Sequence, residues 1–145
     1  MNARHLTSVI PSAVLAFALM TGIAAAKDYQ RVVPLLNDSK TILGQPLAYP
    51  SKGTPKIQSV IVTMLPGEET GPHTHPYPTY GYILEGELTV SYPGGIKKVY
   101  KKGEAVMEAV NAIHNGKNTG SEPVRILVVF MGVADQANTL LPEKD

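Results

Sequence analysis

Between Lys56 and Val133 the chain alternates short apolar-rich runs with clusters of glycine and proline. The runs are Lys56–Leu65 (KIQSVIVTML), Thr79–Leu84 (TYGYIL), Glu87–Tyr92 (ELTVSY), Ile96–Tyr100 (IKKVY), Glu104–Glu108 (EAVME) and Val124–Val133 (VRILVVFMGV). β-Branched and aromatic residues dominate them, and these fit a pleated, half-buried surface. Turn chemistry separates the runs at Pro66-Gly67, Glu85-Gly86, Pro93-Gly94-Gly95, Lys102-Gly103 and Thr119–Pro123. Strand signals about ten residues apart, with no sustained helical period, predict an all-β sandwich or barrel rather than βαβ units. Asp28 to Pro55 holds shorter apolar pieces (VVPLL, TILG, PLAY) that suit either edge strands or an arm on the barrel. The tail from Ala134 suits either a short helical turn or a frayed coil.

The first residues follow a different pattern. Arg4 precedes an apolar run from Val9 to Ile23, and Ala24-Ala25-Ala26 then meets polar Lys27-Asp28. This is the layout of a secretory signal peptide with an A-x-A cleavage site. Pro11 interrupts the run, which is shorter than the roughly 20 residues of a membrane-spanning helix. The expectation is a signal peptide at residues 1–26 and a single domain at 27–145, with its core at about 57–133. The mature protein is then periplasmic or secreted and carries no membrane anchor. No cysteine stands near the cut to take a lipid, and no twin-arginine pair precedes it, so export as an unfolded chain is expected.

Composition narrows the chemistry further. Arg4 is the only charge in the leader, so the 13 Lys and Arg of the whole chain fall to 12 after cleavage, against 12 Asp and Glu. That balance offers nucleic acid or an anionic membrane no electrostatic footing. Lys97, Lys98, Lys101 and Lys102 form a local basic run, read here as lysines guarding an edge strand from further pairing. The chain has no cysteine, which excludes disulfides, thiolate metal sites and cysteine nucleophiles. Any metal must therefore be held by nitrogen and oxygen.

Past the leader only three histidines remain, His73, His75 and His114. An H-x-H on a strand turns both imidazoles to one face, because strand side chains alternate with period two. With a third imidazole from a neighbouring strand they form a facial metal site, open on its other side.

The spacing around these histidines resembles the two motifs of the cupin superfamily, in particular its small single-domain members. Gly67 is followed by five residues, His73-Thr74-His75, three residues, Thr79, six residues and Gly86. Gly103 is followed by five residues, Ala109, Val110, Asn111, two residues, His114, three residues and Asn118. The resemblance covers roughly Ile57 to Val133 and implies a double-stranded β-helix, or jelly-roll barrel. It implies one divalent transition metal per chain (Fe, Mn, Zn, Cu or Ni) on His73, His75 and His114, and a homodimer. Asn118 is expected to bond loop backbone beside the site.

Three positions depart from the family pattern. Ala109 and Asn111 stand where the turn usually has proline and glycine, and Asn111 suits that turn because asparagine tolerates positive φ. Thr79 stands where the family has its metal-binding glutamate. A neutral hydroxyl is a poor ligand, so a site built from three histidines alone would retain more positive charge and polarise bound groups more strongly. Glu108 is the best replacement carboxylate. Either it faces inward, partnered by metal, water or a tyrosine hydroxyl, or it faces solvent. Glu68, Glu69 and Glu104 suit exposed turns.

The resemblance implies an exported metal-binding cupin. If the protein is an enzyme, oxygenase-type attack on a small aromatic or dicarbonyl molecule leads, with lysis or isomerisation as the redox-free form. Glu108, Tyr77 and Tyr80 are the candidates for moving protons. The contrasting expectation is a cupin that captures a small ligand or metal without turnover.

Overall fold

The computed structural model describes residues 30–143, and in it each apolar run becomes a strand. These are β1 (Pro55–Met64), β2 (Thr79–Glu85), β3 (Glu87–Ser91), β4 (Lys97–Lys101), β5 (Ala105–Met107), β6 (Asn115–Lys117) and β7 (Val124–Val133). They pair antiparallel into two sheets, ordered β1-β7-β2-β5 and β4-β3-β6. The expected leader lies outside the described residues. Among those described, no helix is long and apolar enough to cross a membrane.

Side-chain alternation decides which face of each strand is buried. Thr79, Gly81 and Ile83 of β2, Leu88 and Val90 of β3, and Val124 and Ile126 of β7 turn inward. The two sheets meet over one core, with Ile83, Val106 and Ile126 from one and Leu88, Val90 and Tyr100 from the other. The intervening residues of β2 and β7, among them Tyr80, Tyr82, Leu127 and Val129, have the opposite parity and so lie on the outer face of the sheet.

Gly86, between β2 and β3, has φ 75°. A Cβ there would lie 2.6 Å from the Pro123 carbonyl oxygen and 2.8 Å from Val124 Cα. Only glycine both adopts this conformation without strain and clears the neighbouring backbone.

Of the seven strands, β6 (NGK) carried no strand signal in the sequence. It is three residues long and lacks apolar alternation, and its extended form comes from pairing with β3 (Thr89 with Lys117, Ser91 with Asn115). Tertiary pairing here overrides local propensity. β4 is an edge of its sheet, and Lys97, Lys98 and Lys101 on it are exposed.

The segment before β1 is an arm. Lys40 bridges to Pro46, and Ile42 N–H donates to the Met107 carbonyl at 2.9 Å. The Gln45 amide bonds Val110 in both directions, at 3.0 and 2.9 Å, on the loop that leads to His114. Through residue 143 the tail is neither helical nor frayed. After a turn at Ala134-Asp135 it runs back, and Leu140 exchanges both backbone hydrogen bonds with Thr74 at 2.9 Å.

Candidate metal centre

The His73–His75 stretch is extended and held on both sides. His73 and His114 exchange both backbone hydrogen bonds at 2.9 Å, so they are directly opposite and present their rings to one face. Asn111 N–H donates to the His75 carbonyl at 2.8 Å, and Asn111 has φ 54°, the positive value read from its place in the turn. Thr74, pointing the other way, takes the tail as its partner. Two-residue alternation and one antiparallel pair thus bring three imidazoles from distant positions to one point. Their ring centroids lie 4.3 to 5.1 Å apart.

Each ring is oriented by a backbone carbonyl. Nδ1–H of His73 donates to Gly71 at 2.8 Å, that of His75 to Asn138 at 2.7 Å, and that of His114 to Ala112 at 3.0 Å. A carbonyl only accepts, so all three Nδ1 atoms carry a proton, and in the neutral ring each Nε2 keeps its lone pair. The three candidate ligand atoms lie within 4.8 Å of one another, and all three residues are buried. Neutral imidazoles fixed through Nδ1, with Nε2 converging, are the form in which histidine binds metal.

Glu108 is directed inward, toward two of the three histidines. Its Oε2 is 3.0 Å from His75 Nε2 and 3.5 Å from His114 Nε2. Glu108 Oε2 and His114 Nε2 are both buried without a hydrogen-bond partner, as expected where the rings are neutral and protonated on Nδ1. Buried, unpartnered polar atoms of this kind, facing one another, fit a cation between them. Burial pushes the Glu108 carboxyl upward, and in the metal-free chain His114 and His75, when protonated at Nε2, outweigh it by donating to the carboxylate and by their charge, holding the group well below the usual carboxylate range. Burial lowers His73, with the neighbouring His114 and His75 adding to the effect against the raising Gly71 carbonyl. At His114 burial also lowers the pKa, but contact with Glu108 more than offsets it and the value is raised.

The other sequence candidates sit elsewhere. Thr79 is buried, but its hydroxyl donates to the Tyr77 carbonyl at 3.1 Å, and it is not among the residues lining the cavity. Neither Tyr77 nor Tyr80 lines the cavity at the histidines. Tyr77 packs against Gly132, and Tyr80 lies on the outer face of its sheet because it alternates with buried Thr79 and Gly81. Asn118 is fully buried, donating from Nδ2 to the Met64 and Glu122 carbonyls at 2.9 Å and accepting the Gly120 N–H at 3.0 Å.

Three contributors escaped the sequence reading. Tyr92 shares parity with Leu88 and Val90, and its ring lies 5.3 Å from that of His114. Burial and the nearby Glu108 charge push its phenol far up, so it stays neutral. Phe130, in parity with Ile126 and Val128, lies 5.4 Å from the His75 ring. Asn138 acts through its carbonyl, which carries no side-chain signal at all.

The centre opens onto a cavity of about 210 Å³ between the sheets. Val90, Val106, Ile126, Val128, Phe130 and Leu141 line its walls, with Thr70, Thr139, Glu108 and the histidines supplying the polar groups. No lysine or arginine is among the lining residues.

Residues 60–130 match the Cupin domain family (Cupin_2). The chain carries a cupin domain. Solved structures agree with that assignment. An uncharacterized conserved protein with a double-stranded β-helix domain from Klebsiella pneumoniae is 27% identical, with 67% of this chain and 86% of that one aligned at a TM-score of 0.50. The DMSP lyase DddQ of Ruegeria pomeroyi is 25% identical over 70% of this chain, at a TM-score of 0.53, and this chain covers 49% of its length. The oxalate decarboxylase of Lactobacillus farciminis, in its formate complex, shares the fold at 24% identity and a TM-score of 0.50, with 58% of this chain and 26% of the decarboxylase aligned. No curated protein matches the chain in sequence.

Proposed function

We propose that this cupin binds one divalent transition metal through His73, His75 and His114 and turns over a small, largely apolar molecule in the adjoining cavity. One observation carries the reading: every Nδ1 is committed to a backbone carbonyl, so three Nε2 lone pairs converge on one buried point. Imidazole donors suit Fe, Mn, Zn, Cu and Ni in differing degree. The metal would supply Lewis acidity or redox capacity. The chain itself orients the ligand and keeps water out, through Val90, Val128, Phe130 and Leu141. The cavity is smaller than the roughly 300–1,000 Å³ typical of drug-sized ligands, so the substrate is compact. With no lysine or arginine in the lining, it is recognised by shape and through the metal rather than by a cationic clamp.

Oxygenase-type attack is the leading reading, supported by imidazole donors that suit a redox-active metal such as Fe or Cu. Lysis or isomerisation without redox change is the second reading, favoured by the likeness to the Ruegeria lyase. Residues 1–26 support export to the periplasm or medium, and the family resemblance supports a homodimer; both belong to this proposal. The test is a panel of small carbonyl, aromatic and carboxylate compounds offered to Fe(II)-, Mn(II)- and Zn(II)-loaded protein, with and without air. Oxygen-dependent turnover lost in His75→Ala supports the first reading, and anaerobic turnover with any of these metals supports the second. Stoichiometric metal with no turnover across the panel would instead make the protein a binder.

A further inference from the structure

We infer that Glu108 is the fourth ligand of this centre, supplying from across the strand the carboxylate that Thr79 lacks; the inference rests on the three-histidine reading above. The ladder between β2 and β5 pairs Tyr82 with Ala105, Gly81 with Val106 and Tyr80 with Met107. The next rung sets Thr79 opposite Glu108, and Glu108 N–H donates to the Thr79 carbonyl at 2.9 Å. Directly opposed residues in an antiparallel pair turn their side chains to the same face. A carboxylate at position 108 therefore enters the chamber that one at position 79 would enter. Thr79 leaves the place free, its hydroxyl being bonded to the Tyr77 carbonyl.

The distances to His75 and His114 are close to those of shared coordination. Nitrogen and oxygen ligands about 2.1 Å from one metal, at angles between octahedral and tetrahedral, stand about 3.0–3.4 Å from each other. Glu108 Oε2 stands 3.0 Å from His75 Nε2 and 3.5 Å from His114 Nε2. With each imidazole neutral and its proton on Nδ1, these are acceptors facing acceptors, an arrangement that a metal cation among them relieves. The exposed Glu68, Glu69 and Glu104 offer no competing carboxylate. The centre is thus three neutral imidazoles and one carboxylate. A divalent ion there keeps one net positive charge, and the stronger polarisation expected of three histidines alone does not arise.

Co(II) alone is the probe, since its visible absorption reports coordination geometry, and chelator competition gives its affinity. Wild type should take one Co(II) per chain. Glu108→Gln should bind it at least roughly 100-fold more weakly, past the 10–100-fold effect of groups that only orient a ligand, and with an altered spectrum. The pair Thr79→Glu with Glu108→Ala should recover most of the affinity and the wild-type spectral form. Far-UV circular dichroism and thermal unfolding of each metal-free variant establish that the barrel has formed. If Glu108→Gln does not fold, Glu108→Ala alone serves as the comparison for the pair. Wild-type affinity and spectrum in the single variant would overturn the inference and leave the three-histidine reading standing. Weak binding with an unchanged spectrum would make Glu108 a positioning residue and overturn it as a ligand. Weak binding that the pair does not recover would overturn the exchange of places. A wild-type chain that takes up no Co(II) would remove the three-histidine reading itself.

Discussion

Asn118 illustrates how single polar side chains hold the frame around the histidines. Its two amide donors reach the Met64 and Glu122 carbonyls, and its oxygen takes the Gly120 N–H; the bond to Met64 is buried and the other two are partly so. Replacing it with alanine strands three backbone groups at about 1 kcal/mol each. Asn118→Ala should therefore lose about 3 kcal/mol of stability in urea denaturation, and a loss below about 1 kcal/mol would contradict the account. Gly86→Ala acts by conformation instead, since φ 75° disfavours a side chain and the added Cβ meets Pro123 and Val124 backbone. The left-handed conformation alone costs about 1–2 kcal/mol, and the collision adds to it. A variant as stable as wild type would show that the turn relaxes. The histidines were readable residue by residue, because period-two alternation and motif spacing are local properties. The inward course of Glu108 was not. It depends on which strand lies opposite, and the sequence states no pairing register.

Among the elements, the tail changes most between sequence and structure. Short and polar, with no periodicity, it gave no sign of its role. Its extended form comes from the Leu140–Thr74 pairing, and it carries the Asn138 carbonyl to His75 Nδ1 at 2.7 Å. Thr139 and Leu141 line the cavity beside it. Ending the chain after Gln136 should leave the two sheets folded, since their strands end at Val133. Metal should then bind about 10–100-fold more weakly, the usual cost of removing the group that orients a ligating histidine. Unchanged affinity in titration calorimetry would mean that the tail does not position His75. The strands themselves were largely visible as alternating runs bounded by glycine and proline. β6 was invisible for the opposite reason, being polar residues drawn into extension by β3.

For the molecule as a whole, the two sheets enclose an apolar cavity whose polar groups gather at the histidines, and the expected leader would carry that barrel out of the cytoplasm. Protein recovered from the periplasm or medium of the expressing cell should begin at Lys27, as N-terminal sequencing would show; a chain retaining residues 1–26 would contradict cleavage. Fold class could be read from strand spacing and the two motifs together, whereas the cavity's lining could not, because it joins residues from both sheets with the tail. Everything functional in this reading depends on the three converging Nε2 atoms. The most direct measurement is elemental analysis of the purified protein beside His114→Ala, both checked for a folded β-sheet spectrum. The account predicts close to one transition metal per wild-type chain and almost none in the variant. Wild type with far less than one metal per chain, or His114→Ala with as much metal as wild type, would contradict it.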